Sequence, residues 1–113
     1  QAGFVRAGAI FLTGSVSDAF GVLPGWGLHR EMELLTMTGL TPRQALAAAF
    51  ENFADVYGWT DVGRIAPGYW ADIVVLDADP TASIANAQRI HAVYKGGVDV
   101  QRDRLLAWRP GQR

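Results

Sequence analysis

Four apolar residues, Ala9-Ile10-Phe11-Leu12, run without a polar interruption and stop in the small residues Thr13-Gly14-Ser15. An alternating strand can lie with one face in water. A continuous apolar run suits a strand covered on both faces, as in a parallel sheet flanked by helices. Such a strand needs parallel neighbours, and each parallel connection takes a crossover of a dozen residues or more. The chain shows no second strand–helix–strand pattern to provide them. Residues 4–14 are therefore expected to form a strand whose partners lie elsewhere. Four residues past Gly14 stands Asp18, a carboxylate delivered at the carboxyl end of that strand, where parallel α/β architectures place their active sites.

With 113 residues the chain suffices for one small domain. It is far short of the roughly 250 residues of a closed eight-stranded α/β barrel. Half the residues are hydrophobic and 19% are charged, a globular balance that does not fit a disordered chain. The net charge is −1, with acids and bases interspersed, so the basic footprint of a nucleic-acid binder is missing. No apolar stretch approaches the ~20 residues of a membrane span. The lack of cysteine excludes disulfides and thiolate metal sites. The first residue is Gln1, not Met, and we expect a longer precursor, a proteolytic cut or a trimmed chain.

Gly14 to Gly27 reads as a loop. A helix begins near Leu28, with Leu28, Met32 and Leu35 at helical spacing, His29, Arg30, Glu31 and Glu33 mostly on the other side, and Gly39 as its stop. The next helix is the best marked. Thr41 caps it, Pro42 takes its first position and Gln44 completes a capping box. Ala45, Leu46, Ala49 and Phe53 form its apolar face, and Gly58 ends it after Tyr57. Beyond Gly58 the pattern turns to short strands: Val62–Ile65, then Ile73–Leu76 after a Pro67-Gly68 type II turn, then Ile90–Tyr94 and Val98–Val100 joined by Gly96-Gly97 as a hairpin. Residues 101–113 read as a basic, partly ordered tail.

Four stretches in this order resemble the C-terminal part of the amidohydrolase superfamily, the metal-dependent hydrolases, in its imidazolonepropionase-like and Xaa-Pro dipeptidase-like branch. Thr13-Gly14-Ser15-Val16-Ser17-Asp18-Ala19 is similar to the end of that family's eighth barrel strand. Leu28 to Leu35 and Gly39 to Leu46 are similar to its two following helices. Gly63 to Asp77 resembles the return into its small β-sandwich, and Val93 to Gly97 its final hairpin. Two departures stand out. The family has a compact Gly-Thr-Asp or Gly-Ser-Asp where Ser15-Val16-Ser17 here separates Gly14 from Asp18, and the second helix reads Ala49-Phe50-Glu51-Asn52-Phe53-Ala54 around its Asn, a difference that touches packing only.

The resemblance implies an α/β fold: the last strand and helices of a (β/α)8 TIM-like barrel over residues 1–58, then the C-terminal strands of a composite β-sandwich, with a tail, over 59–113. It implies hydrolysis of a C–N bond in an amide, cyclic amide or dipeptide-like substrate. Asp18 is then both metal ligand and catalytic general base. The cofactor is a divalent metal, zinc by preference, as one or two ions held mostly outside this chain. A hydrolytic zinc site needs about three protein ligands plus water, and the chain's two histidines, His29 and His91, are far apart in sequence. The implied partners are the N-terminal portion of the barrel, in the same precursor or a second polypeptide, and a small-molecule substrate, with neither nucleic acid nor membrane. Exposed strand edges and helix faces also favour an oligomer. The competing reading is a non-catalytic structural or interaction module from a degenerate relative.

The remaining polar residues have simpler readings. His29 is a partly exposed helix residue near a pocket mouth, and His91 is structural. Ser17 is a loop hydroxyl. Asp72 bonds turn amides, and Asp77 and Asp79 are turn carboxylates. Trp26 lines a pocket or anchors its loop, and Trp59, Tyr69 and Trp70 belong to core or interface.

Overall fold

A computed structural model describes residues 2–15 and 25–107. Its elements are α1 (Ala2–Arg6), α2 (Gly27–Met37), α3 (Pro42–Ala49), α4 (Glu51–Tyr57), β1 (Ile73–Leu76), a 3-10 helix (Ile84–Gln88), β2 (Ile90–Lys95), β3 (Val98–Asp99) and α5 (Arg102–Ala107). Among the described residues no helix is long and apolar enough to cross a membrane.

The capping box expected at Thr41 is present. Thr41 Oγ1 accepts from the Gln44 amide at 3.2 Å, and the Thr41 amide donates to Gln44 Oε1 at 2.8 Å. These two bonds satisfy donors that an uncapped helix leaves unpaired. The expected single helix from Pro42 to Tyr57 is instead two, broken at Phe50 with φ −135° and ψ −75°. The break has a local cause. The Ala48 carbonyl, which an unbroken helix would offer to Asn52, accepts from the Thr13 amide at 3.0 Å. Gly58 then closes α4 in the left-handed conformation (φ 69°), as its position after Tyr57 implies.

The core is helical and made of small side chains. Met32, Ala45, Ile84 and Ala87 pack together, with Leu28, Leu35, Leu46 and Ala49 partly buried against them. Ala45 and Ala48 are fully buried, and alanine at those points lets α2 and α3 approach closely. Met32 is the one large side chain with under 2% of its surface exposed among the described residues. Ile84 and Ala87 come from the 3-10 helix, so the stretch after β1 folds back onto the helices. Gln88 Nε2 reinforces this by donating to Glu33 Oε1 on α2 at 3.0 Å.

The second half is a three-stranded antiparallel sheet in the order β1-β2-β3. Ile73 pairs with Tyr94, and a bulge between Val75 and Leu76 shifts Leu76 onto Ile90. The expected hairpin forms, with Gly96 and Gly97 both at positive φ. The Pro67-Gly68 turn forms as well, Gly68 at φ 86° and the Tyr69 amide on the Ala66 carbonyl at 3.1 Å. Neither Val74 nor Val75 is covered, although adjacent strand residues point to opposite faces. Part of the expected tail, residues 102–107, is helical.

Two expected strands are absent. Val62–Ile65 carries no ladder: Gly63 sits at φ 83° against α4, and Arg64 turns back to pair with Glu51 at 2.9 Å and Asp55 at 2.7 Å. Asp55 first, then Glu51, raises the Arg64 pKa and keeps its guanidinium charged. The strand over 4–14 is also missing. Residues 2–6 are helical, and 9–15 run without a ladder because the described residues contain no parallel strand to pair with.

The hairpin is latched by Asp72. Its carboxylate accepts from the Gly96 amide at 2.8 Å and pairs with the Lys95 ammonium. The Lys95 bond, followed by that of the Gly96 amide, lowers the Asp72 pKa below its ordinary 3.8. A carboxylate whose pKa is lower folded than unfolded stabilises above the unfolded value, and that contribution fades as pH falls through the folded one. Asp72→Asn, which keeps an acceptor for Gly96 but loses the charge, is therefore expected to lower the urea midpoint at neutral pH, the difference from the parent closing as pH falls below the ordinary 3.8 and through the lowered folded value. At the other end of the fold, Thr41→Ala should cost about 1 kcal/mol in the same unfolding assay, with Thr41→Ser close to the parent.

Candidate functional site

Asp18, the residue expected to act as metal ligand and base, lies outside the described residues, as does Ser17. What is described is the segment that leads to it, and the helices that hold that segment.

Residues 9–15 lie across α2, α3 and α4, fixed at three successive points. Asn52 Nδ2 on α4 donates to the Phe11 carbonyl at 2.9 Å. The Thr13 amide donates to the Ala48 carbonyl at 3.0 Å, with the buried Thr13 hydroxyl more loosely on the same oxygen at 3.4 Å. The Gly14 amide donates to Glu31 Oε1 on α2 at 2.8 Å. Backbone polar groups away from water must find partners. Here side chains and a helix carbonyl serve groups that a sheet ladder would otherwise satisfy.

The two side-chain tethers are not obvious from composition, yet spacing marks both. Glu31 lies three residues after Leu28 and four before Leu35, on the buried face of α2 and not opposite it. Asn52 lies four residues after the buried Ala48. It does more than pack, since it replaces a missing strand partner.

The first turns of α2 also hold two buried polar atoms without a hydrogen bond among the described residues, His29 Nδ1 and Glu31 Oε2. His29 is thus half-buried, and its ring nitrogen is enclosed. Trp26, just before α2, is exposed, and its carbonyl accepts from the Arg30 amide. Under the segment lies a cleft of about 160 Å³ lined by Val5, Phe11, Leu40, Gln44, Ala47 and Asn52. That is smaller than the ~300 Å³ lower bound of ligand pockets, and it is a packing gap between segment and helices.

The other acidic candidates lie apart from this segment. Asp77 pairs with His91 at 3.0 Å on the exposed side of the sheet. Asp79 accepts from the Thr81 hydroxyl and amide, which lower its pKa, and closes a turn. Trp70 donates from Nε1 to Asp61 at 3.0 Å and, like Trp59, is exposed. Among the described residues, no three His, Asp or Glu side chains converge in a way that would hold a metal ion.

Residues 4–100 match the model of the amidohydrolase family. The chain is 38% identical over 72 residues to an adenine deaminase of Desulfitobacterium hafniense (strain Y51), covering 64% of this chain and 12% of that protein. It is 37% identical over 75 residues to an imidazolonepropionase of Streptomyces griseus subsp. griseus, covering 66% of this chain and 16% of that one. The structure superposes on that of a molinate hydrolase with a TM-score of 0.82 and 25% identity, covering 92% of this chain and 26% of the other. The chain thus spans well under a third of each of these proteins.

Asn52→Ala is expected to leave the Phe11 carbonyl without its partner. It should lower unfolding stability by about 1 kcal/mol and speed amide exchange at residues 9–13, read by mass spectrometry. Unchanged exchange there would show that Asn52 does not hold the segment.

Proposed function

The chain belongs to the amidohydrolase family, and from that premise we propose that it is the C-terminal part of a metal-dependent hydrolase acting on a carbon–nitrogen bond. Residues 1–58 are assigned to the end of a (β/α)8 barrel and 59–113 to the C-terminal part of a composite β-sandwich and a tail. The substrate is a small amide, cyclic amide or dipeptide-like molecule.

The observation that carries this reading is the pinned segment 9–15. It is rich in apolar residues and without a ladder, and it ends three residues before Asp18, all within the stretch that matches the family. Ile10 is 67% exposed in the middle of that run. A second observation supports it. Phe4, Met37, Ile65 and Val98 are likewise exposed. Surface left open on this scale suits a fold completed by the N-terminal portion of the barrel, in the same polypeptide or a second one.

In this assignment Asp18 ligates a divalent ion, zinc by preference, with the other ligands supplied from outside the chain. Such an ion supplies acidity, lowering the pKa of bound water toward about 7. A carboxylate suits both duties of Asp18, because one oxygen can ligate while the other holds a proton and passes it to the leaving nitrogen. α2 to α4 carry no chemistry here. Their part is to hold the segment in front of Asp18.

The second reading is a non-catalytic module from a degenerate relative. The two are separated by the N-terminal partner, which carries His-x-His and further ligand histidines only under the first. The direct test is Asp18→Asn in the complete assembly. Metal content should fall, and turnover of small amides should drop by about 100-fold or more. Unchanged metal and unchanged turnover would remove Asp18 from the site.

A further inference from the structure

The hydrogen bonds at the two ends of β1 fix which way its backbone groups point. Just before the strand, the Ala71 carbonyl accepts from the Gly97 amide at 2.9 Å, and just after it the Asp77 amide donates to the Arg89 carbonyl at 2.8 Å. In an antiparallel ladder the amide and carbonyl of one residue face the same edge, and successive residues alternate. Residues 71, 73, 75 and 77 therefore face β2, and Val74 and Leu76 turn their backbone groups to the opposite edge. The register agrees. Val74 lies opposite Val93, whose carbonyl accepts from the Val100 amide at 3.0 Å on the β3 side. The bulge leaves the alternation in β1 intact, because its extra residue, His91, is in β2. Among the described residues no strand takes the outward groups of Val74 and Leu76.

We propose that the outer edge of β1 is a strand-pairing site taken by an extended segment of the N-terminal portion, which rests on the reading above that such a portion completes this fold. β1 is Ile73-Val74-Val75-Leu76, with neither the charge nor the proline that protects an edge strand. The acids that flank it are engaged elsewhere, Asp72 with Gly96 and Lys95, Asp77 with His91. Val74 and Val75 are 47% and 39% exposed on opposite faces, so an added strand gains apolar contact on both. The other edge of the sheet lacks these features, since β3 is two residues long and ends in Asp99. The occupant follows from length. The chain spans between 12% and 26% of the related proteins compared above, so most of a protein of that length lies outside it. A segment held in the same assembly meets the edge at an effective concentration of about millimolar, which a second copy does not reach in dilute solution. The edge also sets the segment's chemistry: about four extended residues, β-branched or aromatic beside Val74, with no proline facing β1.

The test uses the complete assembly, the N-terminal portion included, with amide exchange read residue by residue. The Val75 amide faces β2 and serves as the internal reference. The amides of Val74 and Leu76 are expected to exchange at least about 100-fold more slowly than unbonded amides, close to Val75. Fast exchange at both, beside slow exchange at Val75, would overturn the pairing. A photo-crosslinking benzophenone residue placed at Val74 then identifies the occupant. The expected adduct joins it to a peptide of the N-terminal portion. An adduct to a second copy of this chain, or within the chain itself, would overturn the assignment.

Val74→Pro separates this edge from the rest of the sheet. Proline removes the outward amide of residue 74 and is tolerated where a strand edge faces water. With the edge paired, the variant assembly should melt at a lower temperature and lose about 10-fold or more of the protection at Leu76, with Val75 within about threefold of the parent. An unchanged melt with unchanged exchange at Leu76 would overturn the pairing. If the variant does not assemble, exchange and crosslinking in the otherwise parental assembly decide alone. The hydrolase assignment fails separately. Protected Val74 and Leu76 amides in an assembly whose turnover survives Asp18→Asn keep the edge and remove Asp18 from the chemistry. Exposed amides in an assembly that Asp18→Asn inactivates remove only the edge.

Discussion

Residues 9–15 hold the described structure to its proposed purpose, and they do so without a sheet. An apolar run exposes a full set of backbone donors and acceptors, and parallel neighbours would normally take them. None is available among the described residues, so the helices take over part of the work. The Phe11 carbonyl, the Thr13 amide and the Gly14 amide each find a partner on a different helix. This has a consequence for α3. Its Ala48 carbonyl is drawn away to Thr13, and the helix breaks two residues later. The break and the pinned segment are one interaction seen from two sides.

The helical core explains how so short a chain holds these helices in place. Ala45, Ala48, Ala54 and Ala87 are buried, and their small size lets α2, α3, α4 and the 3-10 helix come close. Close approach maximises contact per residue, but alanine buries little apolar surface, at about 25 cal/mol per Å². Large apolar side chains meanwhile remain outside: Ile65, Met37, Val98 and Phe4 are all exposed. A chain of this composition could enclose more than it does. The described packing closes one helical seam and leaves outer apolar faces open, as the proposed assembly with an N-terminal portion would require.

Local chemistry was legible wherever it decides structure by itself. Thr41-Pro42-Arg43-Gln44 cannot easily do anything but start a helix, and Gly96-Gly97 between alternating residues closes a hairpin. Gly58 and the Pro67-Gly68 turn belong to the same class. Tertiary decisions were not legible in the same way. Val62–Ile65 has strand-forming residues, but Arg64 is drawn to two carboxylates one turn apart on α4 and the strand does not form. The run at 9–12 suits a strand with parallel neighbours, but among the described residues it has none and forms no ladder. Glu31 and Asn52 show the limit most clearly. Their spacing placed them on buried faces, yet polar residues at such positions are easily assigned to the solvent side. Only the fold brings Gly14 and Phe11 to them.

The position of Glu31 bears on how a site like this can be divided between segments or chains. A ligand set split across a long polypeptide requires each contributing piece to present its group at a fixed place before the pieces meet, or else to lose conformational freedom on meeting. Residues 9–15 are already fixed at Phe11, Thr13 and Gly14 by groups from this chain alone. The ordering entropy of that stretch is therefore met in part within the chain, by bonds to its own helices. In the proposed assembly, what remains for the N-terminal portion is to cover the apolar flank of the run, where Ile10 stands open, and to bring the other ligands. Apolar cover is non-directional and tolerant of small shifts, whereas a hydrogen bond is not. The exacting contacts are those held inside this chain, and the forgiving ones are left to the boundary, so a site assembled across that boundary can still be accurate.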